Sequence, residues 1–359
     1  MKERLFVLLL LILIVGCSDL DAIKKEKTEQ LTGPILDTEE TVCTIPPTQR
    51  QFTSDYYYTG ELIDSHIHMP VASKIVSEVA IKSGFEDMPT YDRLSIDYLA
   101  CLFESEGITK VFGFNLAPNM VITQSIQKVK SNQIKYPNMF VNFYQPTQLP
   151  GLNPSPEKVD NILSKNPNLF QGYGEVKFSF GEIANYGIDD EEYLAAYQLA
   201  DEHNLIIMMH PAPQHQDEVI LLLEKHPSVT FLFHGGEMRD WAVDILERYD
   251  NAYYTLEPAH KIFGWSEHHS SKGPTKEEFI DYINKNFDSA LKDELNHWKV
   301  IIDSHPDKIL WGTDRWYGWH FDQEVGAIIE EFSRAFIGNL DENVQEKFSY
   351  KNAEKLIGG

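Results

Sequence analysis

The sequence predicts an α/β fold: a (β/α)8 barrel of the TIM type, one domain behind an N-terminal signal and tether. Three observations predict it. From about Gly60 onward, short apolar runs alternate with amphipathic stretches at helical spacing, the mark of repeated βαβ units and a parallel sheet. Eight such strand-like runs occur. Four of them, 62–66, 205–210, 230–234 and 309–314, end in or beside a residue of metal-ligand type: His66 with His68, His210, His234 and Asp314. In a closed parallel barrel, strand ends distant in sequence meet at one rim, where the catalytic groups of such barrels lie.

Residues 1–16 stand outside that fold. Lys2 and Arg4 precede an unbroken apolar run, 5–15, too short to span a bilayer and of the length of a signal-peptide core. The run closes on Leu13-Ile14-Val15-Gly16-Cys17 and resembles a bacterial lipoprotein signal, which is cut before its cysteine. That resemblance implies that Cys17 carries a lipid, so that the membrane is a partner and the protein sits in the cell envelope, anchored outside the cytoplasm. Residues 17–59 are polar, rich in Lys and Glu and then Pro-containing, which suits a flexible tether. Cys43 falls in this tether and Cys101 in a helical stretch, so no disulfide is expected.

The remaining 60–359 segment is long enough for one barrel. With 42% hydrophobic and 12% aromatic residues, the chain can bury a large core. The formal net charge of −24 excludes a nucleic-acid partner, because phosphate contacts need clustered Lys and Arg. The acidity otherwise describes a solvated surface.

The predicted strands are 62–66, 110–115, 140–144, 172–178, 206–210, 230–234, 253–257 and 309–312. Between them, stretches such as 190–203 and 218–225 carry apolar residues at helical spacing with acidic starts, as helices outside a barrel should. His66 and His68 stand at i and i+2, so both imidazoles project from one face of an extended strand. His234 follows His210 by 24 residues, the length of one βα repeat.

Neutral imidazoles with one carboxylate make a borderline-soft donor set that suits zinc and leaves a position for water. A water beside such an ion ionises near neutral pH. Asp314 is placed to act as general base, and His234 to polarise a substrate carbonyl. Decarboxylation would use much of the same apparatus.

The motifs Asp64-Ser65-His66-Ile67-His68, His210-Pro211, His234-Gly235-Gly236, Gly312-Thr313-Asp314 and Lys351-Asn352-Ala353-Glu354-Lys355-Leu356, in this order, resemble the amidohydrolase superfamily. The similarity is to its amidohydrolase-related branch of metal-dependent hydrolases and decarboxylases, over roughly 61–358. It implies that His66, His68, His210 and Asp314 bind a divalent metal, usually zinc, with His234 close by. Related barrels with two metals bridge them by a glutamate or a carbamylated lysine on the fourth strand. Here that strand offers Glu175 and Lys177, at i and i+2, which also read as a buried charge pair. A single ion is expected, with Lys177 a charged group beside it.

Specificity should come from loops. The longest insertion follows the seventh strand, from Pro258 to about Thr275, and holds His260, Trp265, His268 and His269, continuing through a helix to His297 and Trp298. After the eighth strand come Arg315, Trp316, Tyr317, Trp319 and His320, amphipathic rings of the kind that line a small-molecule pocket. Arg239 and Arg315 are candidates to hold a substrate carboxylate, with Trp316, Trp319 and His320 beside it. His215, His226 and His305 read as surface or capping groups. The reading favoured is a metal-dependent hydrolase of a small ester, lactone or amide. A decarboxylase of a small carboxylic acid is the alternative. A non-catalytic binding lipoprotein is the third class, and it should lack one of the ligands.

Overall fold

In the computed structural model, the described residues are 43–52, 54–82, 88–147, 152–177, 179–180, 184–185, 191–263 and 274–358. The leader, Cys17, and Trp265, His268 and His269 of the seventh loop lie outside them. The unit that carries the barrel runs from Thr44 to Gly359.

Eight parallel strands make one sheet in sequential order: β1 (Leu62–His68), β2 (Ile108–Leu116), β3 (Phe140–Gln145), β4 (Gly172–Lys177), β5 (Ile206–His210), β6 (Phe231–Phe233), β7 (Ala252–Leu256) and β8 (Ile309–Trp311). The sheet closes on itself where β1 meets the residues after β8. Asp314 N–H donates to His66 O and His68 N–H donates to Arg315 O, both at 2.9 Å. The barrel expectation is therefore met, and its seam runs through the residues singled out as ligands. Strands β6, β7 and β8 stop one to three residues before His234, Glu257 and Asp314, where the backbone leaves the ladder.

The helices are α1 (Lys74–Lys82), α2 (Ile96–Ser105), α3 (Ile122–Lys135), α4 (Pro156–Lys165), α5 (Glu191–His203), α6 (Gln216–Lys225), α7 (Arg239–Arg248), α8 (Lys276–Ser304) and α9 (Gln323–Gly338). Local chemistry sets their starts. Ser95 Oγ accepts from Tyr98 N–H at the head of α2. Ser155 does the same for α4, which has Pro156 in its first turn. Thr275 and Glu278 cap α8 reciprocally, at 3.2 and 2.8 Å. His215 is buried and its Nδ1 accepts from Ala212 N–H, while His226 and His305 occupy the C-caps of α6 and α8.

Two apolar clusters hold the fold. The larger packs the outer strand faces against the helices. The smaller fills the barrel interior with Ile63, Phe112, Phe114, Val141, Phe143, Ile206, Met208, Leu232 and Leu310. Burying each such side chain contributes about 1.5–3 kcal/mol. Ile63, Val141 and Ile206 lie early in their strands, so the interior is apolar at the N-terminal end. There Ala353 of the last helical turn, Asn352–Leu356, closes it, and Asn352 Nδ2 donates to Pro306 O and Ile309 O. Side-chain alternation carries the same inward face up to polar residues at the other end: Ile206, Met208, His210 on β5, and Leu232, His234 beyond β6.

Strand β1 breaks that alternation. Ile63 faces inward, and a register irregularity between Asp64 and Ile67 shifts the parity so that His66 and His68 face inward as well. A second irregularity on β4 puts both Tyr173 and Val176 in the outer cluster, leaving Glu175 on the inner face.

Residues 44–52 and 54–58, part of the stretch that the sequence presents as a tether, run along the helices. Thr48 N–H donates to Ser105 O, Gln51 and Phe52 N–H both donate to Glu331, and the Phe52 ring stacks on Phe287 at 4.2 Å. Cys43 and Cys101 are both disulfide-bonded, contrary to the expectation of none. The correction has a physical cause: the Thr48–Ser105 contact brings the chain just after Cys43 beside the helix that carries Cys101.

Candidate metal centre

The polar residues at the strand ends converge. His66 Nε2 and His68 Nε2 lie 3.4 and 3.2 Å from Asp314 Oδ1. Across the mouth, Glu175 collects three rings. His210 Nδ1–H and His234 Nε2–H donate to its Oε1 at 2.9 and 2.8 Å, and His68 Nε2 is 3.6 Å from its Oε2. His68 Nδ1–H donates to Gln145 Oε1 at 3.3 Å, on the side of the ring away from Asp314. His66 Nδ1–H donates to Glu257 Oε1 at 3.0 Å.

Backbone geometry fixes these groups. Asp314 adopts φ 52°, a left-handed conformation that Asp and Asn tolerate better than most residues. Asp64, fully buried, accepts from His66 N–H, Thr313 N–H and Thr313 Oγ1–H, tying the start of the metal-type motif to the residue before Asp314. Gly312 has no room for a side chain: a Cβ there would lie 2.8 Å from Thr255 Oγ1 and 3.2 Å from His66 Cβ. The rings sit on an apolar floor, with Phe114 5.0 Å from His66 and 5.9 Å from His68.

Electrostatics follow from burial. Desolvation holds His66 well below its ordinary pKa, and it lowers His234 to about 4 with help from the neighbouring His210. For His68 desolvation also acts downward, but the hydrogen bond and charge of Asp314 prevail and its pKa is raised. Burial acts to raise Glu175 and Asp314, yet the imidazoles around each hold both low. Glu257 goes the other way, pushed well above the usual range by burial and then by Asp314, Asp64 and Glu175.

The donor set fits a divalent cation. His66 Nε2 is completely buried and makes no hydrogen bond. Two groups of donors, His66–His68–Asp314 and His66–Glu175–His234, each place their ligand atoms within 4.8 Å of one another. Imidazole and carboxylate together suit zinc and similar ions. His210 is in neither group and reaches the centre through Glu175.

The other predicted residues are placed as follows. Lys177 lies opposite His210 in the β4–β5 register, partly exposed, with its carbonyl accepting from Tyr193 Oη–H. Arg239 starts α7 and donates to His297 O from Nε and Nη2, at 3.3 Å each, with its side chain 36% exposed. His260 is half-exposed, 3.8 Å from Asp314 Oδ2. Trp316 stacks on Tyr317, and Trp319 meets His320 edge-on at 4.2 Å.

Two candidates leave the substrate side. Arg315 is fully buried and bound to Glu106 beneath the seam, so its charge is spent inside the protein. His320 is likewise fully buried, its Nδ1 accepting from Trp316 N–H, and burial holds its ring well below the usual pKa. The inner network contains two groups that the sequence reading passed over, Gln145 and Glu257. Their only signal was their place at the ends of the third and seventh strands, the same kind of position as His210 and His234.

Eight strands that bring imidazoles and carboxylates to one rim define an α/β-barrel enzyme of the amidohydrolase type. The chain belongs to the amidohydrolase family, which it matches over residues 168–359. Solved structures share its fold. A probable 2-pyrone-4,6-dicarboxylic acid hydrolase from Acinetobacter baumannii, with citric acid bound, is 12% identical and aligns over 84% of this chain and 100% of its own, with a TM-score of 0.52. An apo protein from Agrobacterium tumefaciens is 14% identical over 85% of this chain and 96% of its own, with a TM-score of 0.51. No curated protein sequence matches the chain.

Proposed function

We propose that this protein is a metal-dependent hydrolase acting on a small ester, lactone or amide. The observation that carries the reading is the convergence of His66 Nε2, His68 Nε2 and Asp314 Oδ1 on one partly buried point of the barrel rim. These three residues would hold the ion, zinc being the one that the donors favour, and Glu175 stands ready as a further donor. His210 belongs to the same set by resemblance and steadies Glu175. When bound, a divalent cation polarises a carbonyl oxygen and lowers the pKa of a neighbouring water.

The chain's own residues do the rest. Asp314 accepts the proton of the attacking water on its carboxylate and returns it to the leaving oxygen or nitrogen. His234, kept neutral by burial and donating Nε2–H to Glu175, is the candidate to hold the developing oxyanion. Arg239, half-exposed beside Asp240 and His297, is the candidate cation for a substrate carboxylate, with Trp316 and Trp319 as candidate ring contacts.

A cell-envelope location, with a lipid on Cys17, completes the proposal. The apolar run ending at Cys17 supports it, and so do the disulfide-bonded Cys43 and Cys101, since such bonds persist in oxidising compartments and are rare in the cytosol. Cys17→Ser should abolish lipid labelling and release the protein from membranes. An unlabelled wild type would remove the anchor.

Metal analysis of the purified protein, followed by a screen of esters, lactones and amides, tests the chemistry. Lactone carboxylates come first, because the Acinetobacter neighbour is described as acting on a pyrone dicarboxylate. Metal-dependent turnover with uptake of water is expected. Release of carbon dioxide without water uptake would select the decarboxylase, and a protein that takes up no divalent ion would end both.

A further inference from the structure

We infer that Glu257 is a positioning residue that fixes the tautomer and orientation of His66, and so aims His66 Nε2 at the centre. The inference rests on the proposal that the mouth holds a divalent cation.

Glu257 lies immediately beyond β7, with its side chain 8% exposed. Its Oε1 is 3.0 Å from His66 Nδ1 and 3.7 Å from His234 Nδ1, and only the first is a hydrogen-bond distance. Glu257 Oε1 accepts here, whether the group is ionised or carries its proton on Oε2, which places the proton of His66 on Nδ1. The lone pair is then on Nε2, the buried atom that makes no hydrogen bond and is the ring's remaining donor toward Asp314. His66 is also the one residue common to both donor groups in the barrel mouth. Its tautomer therefore decides whether either group is complete.

The ring has little freedom to choose otherwise. Phe114 meets it edge-on at 5.0 Å and His234 at 4.4 Å, while Gly312 leaves no space behind its Cβ. A hydroxyl relay sets the height of Glu257 against it. Ser65 Oγ–H donates to Trp311 O at 2.7 Å, so the Thr255 hydroxyl must be the donor in the contact between Thr255 Oγ1 and Ser65 Oγ. Thr255 is two residues before Glu257 and Ser65 is next to His66. The relay thus pins β7, β1 and β8 together one step below the Glu257–His66 hydrogen bond. Carboxylates that orient ligand histidines in this way typically account for 10–100-fold in metal affinity.

The test uses the full chain as wild type, Glu257→Gln and Glu257→Leu. Zinc affinity is read by competition with a chromogenic chelator, coordination by the visible spectrum after cobalt substitution, and folding by the thermal midpoint of the metal-free protein. The His66 tautomer is read by long-range proton–nitrogen correlation on the metal-free protein. Wild type should show His66 as the Nδ1–H form. Glu257→Leu should lose that form, weaken zinc binding by about 10–100-fold and alter the cobalt spectrum. Glu257→Gln keeps an accepting oxygen and should fall between. Folded Glu257→Leu that binds zinc within about twofold of wild type would overturn the inference, as would an Nε2–H tautomer of His66 in wild type. If Glu257→Leu does not fold, Glu257→Gln and the wild-type tautomer decide. A wild type that takes up no zinc sinks the proposed function alone, because the tautomer still tests Glu257.

Discussion

Arg315 and Glu106 are joined by two parallel hydrogen bonds, Nη1 to Oε1 at 3.0 Å and Nη2 to Oε2 at 2.7 Å, and neither side chain is exposed. Glu106 is the C-cap of α2, and Arg315 directly follows Asp314 and accepts from His68 N–H. The pair thereby anchors the barrel seam at the base of the proposed metal centre. Glu106→Ala leaves a buried guanidinium without a counter-charge and should cost about 3–5 kcal/mol. The paired replacement Glu106→Leu with Arg315→Met should cost far less. Denaturant unfolding of the three proteins measures both, and equal losses would show that packing, not charge pairing, holds this corner.

Asp314→Asn should abolish turnover, by a factor of about 10²–10⁴ or more, while the fold survives. Asn is the suitable substitution because Asp314 sits at φ 52°, where Asn is at ease and Ala is strained. Steady-state rates with matched circular dichroism spectra check this. Unchanged activity would remove Asp314 from the mechanism.

Gly312→Ala should be costly although it adds one methyl group. The new Cβ would press on Thr255 Oγ1 and His66 Cβ together, disturbing the hydroxyl relay and the ring. A loss of about 1–3 kcal/mol is expected, with zinc affinity falling alongside it. A stable variant that binds zinc like wild type would mean that β8 can retreat from His66.

Two desolvated histidines should weaken the metal-free protein in acid. Burial holds His320 well below its ordinary pKa of 6.5 and lowers the more exposed His226 as well. Below pH 6.5 the unfolded chain takes up protons that the folded state refuses, so stability from these groups is present above 6.5 and lost as pH falls. Glu257, Asp64 and His68, whose pKa values are raised, act in the opposite sense, so the effect is read by difference: from pH 7.5 to 5.5 the thermal midpoint of wild type should fall relative to that of His226→Gln. Parallel profiles for the two proteins would contradict the burial argument for His226.

The sequence alone determined the barrel and most of its rim. Periodicity exposes strands and helices because each has its own repeat, and the His66–His68 spacing is local to one strand. His210, His234 and Asp314 were legible because each stands at or just past the end of an apolar run. Only the tertiary structure decided the rest. Glu257 finds His66 across 191 positions of sequence, a separation that no local pattern records. Arg315 looked like a substrate clamp beside an aromatic cluster until burial against Glu106 claimed its charge. Cys43 and Cys101 looked unrelated because one lay in a polar stretch and the other in a helix. Chain periodicity is set by backbone geometry within a few residues, whereas burial and pairing of charges arise only when remote segments exclude water from the same place.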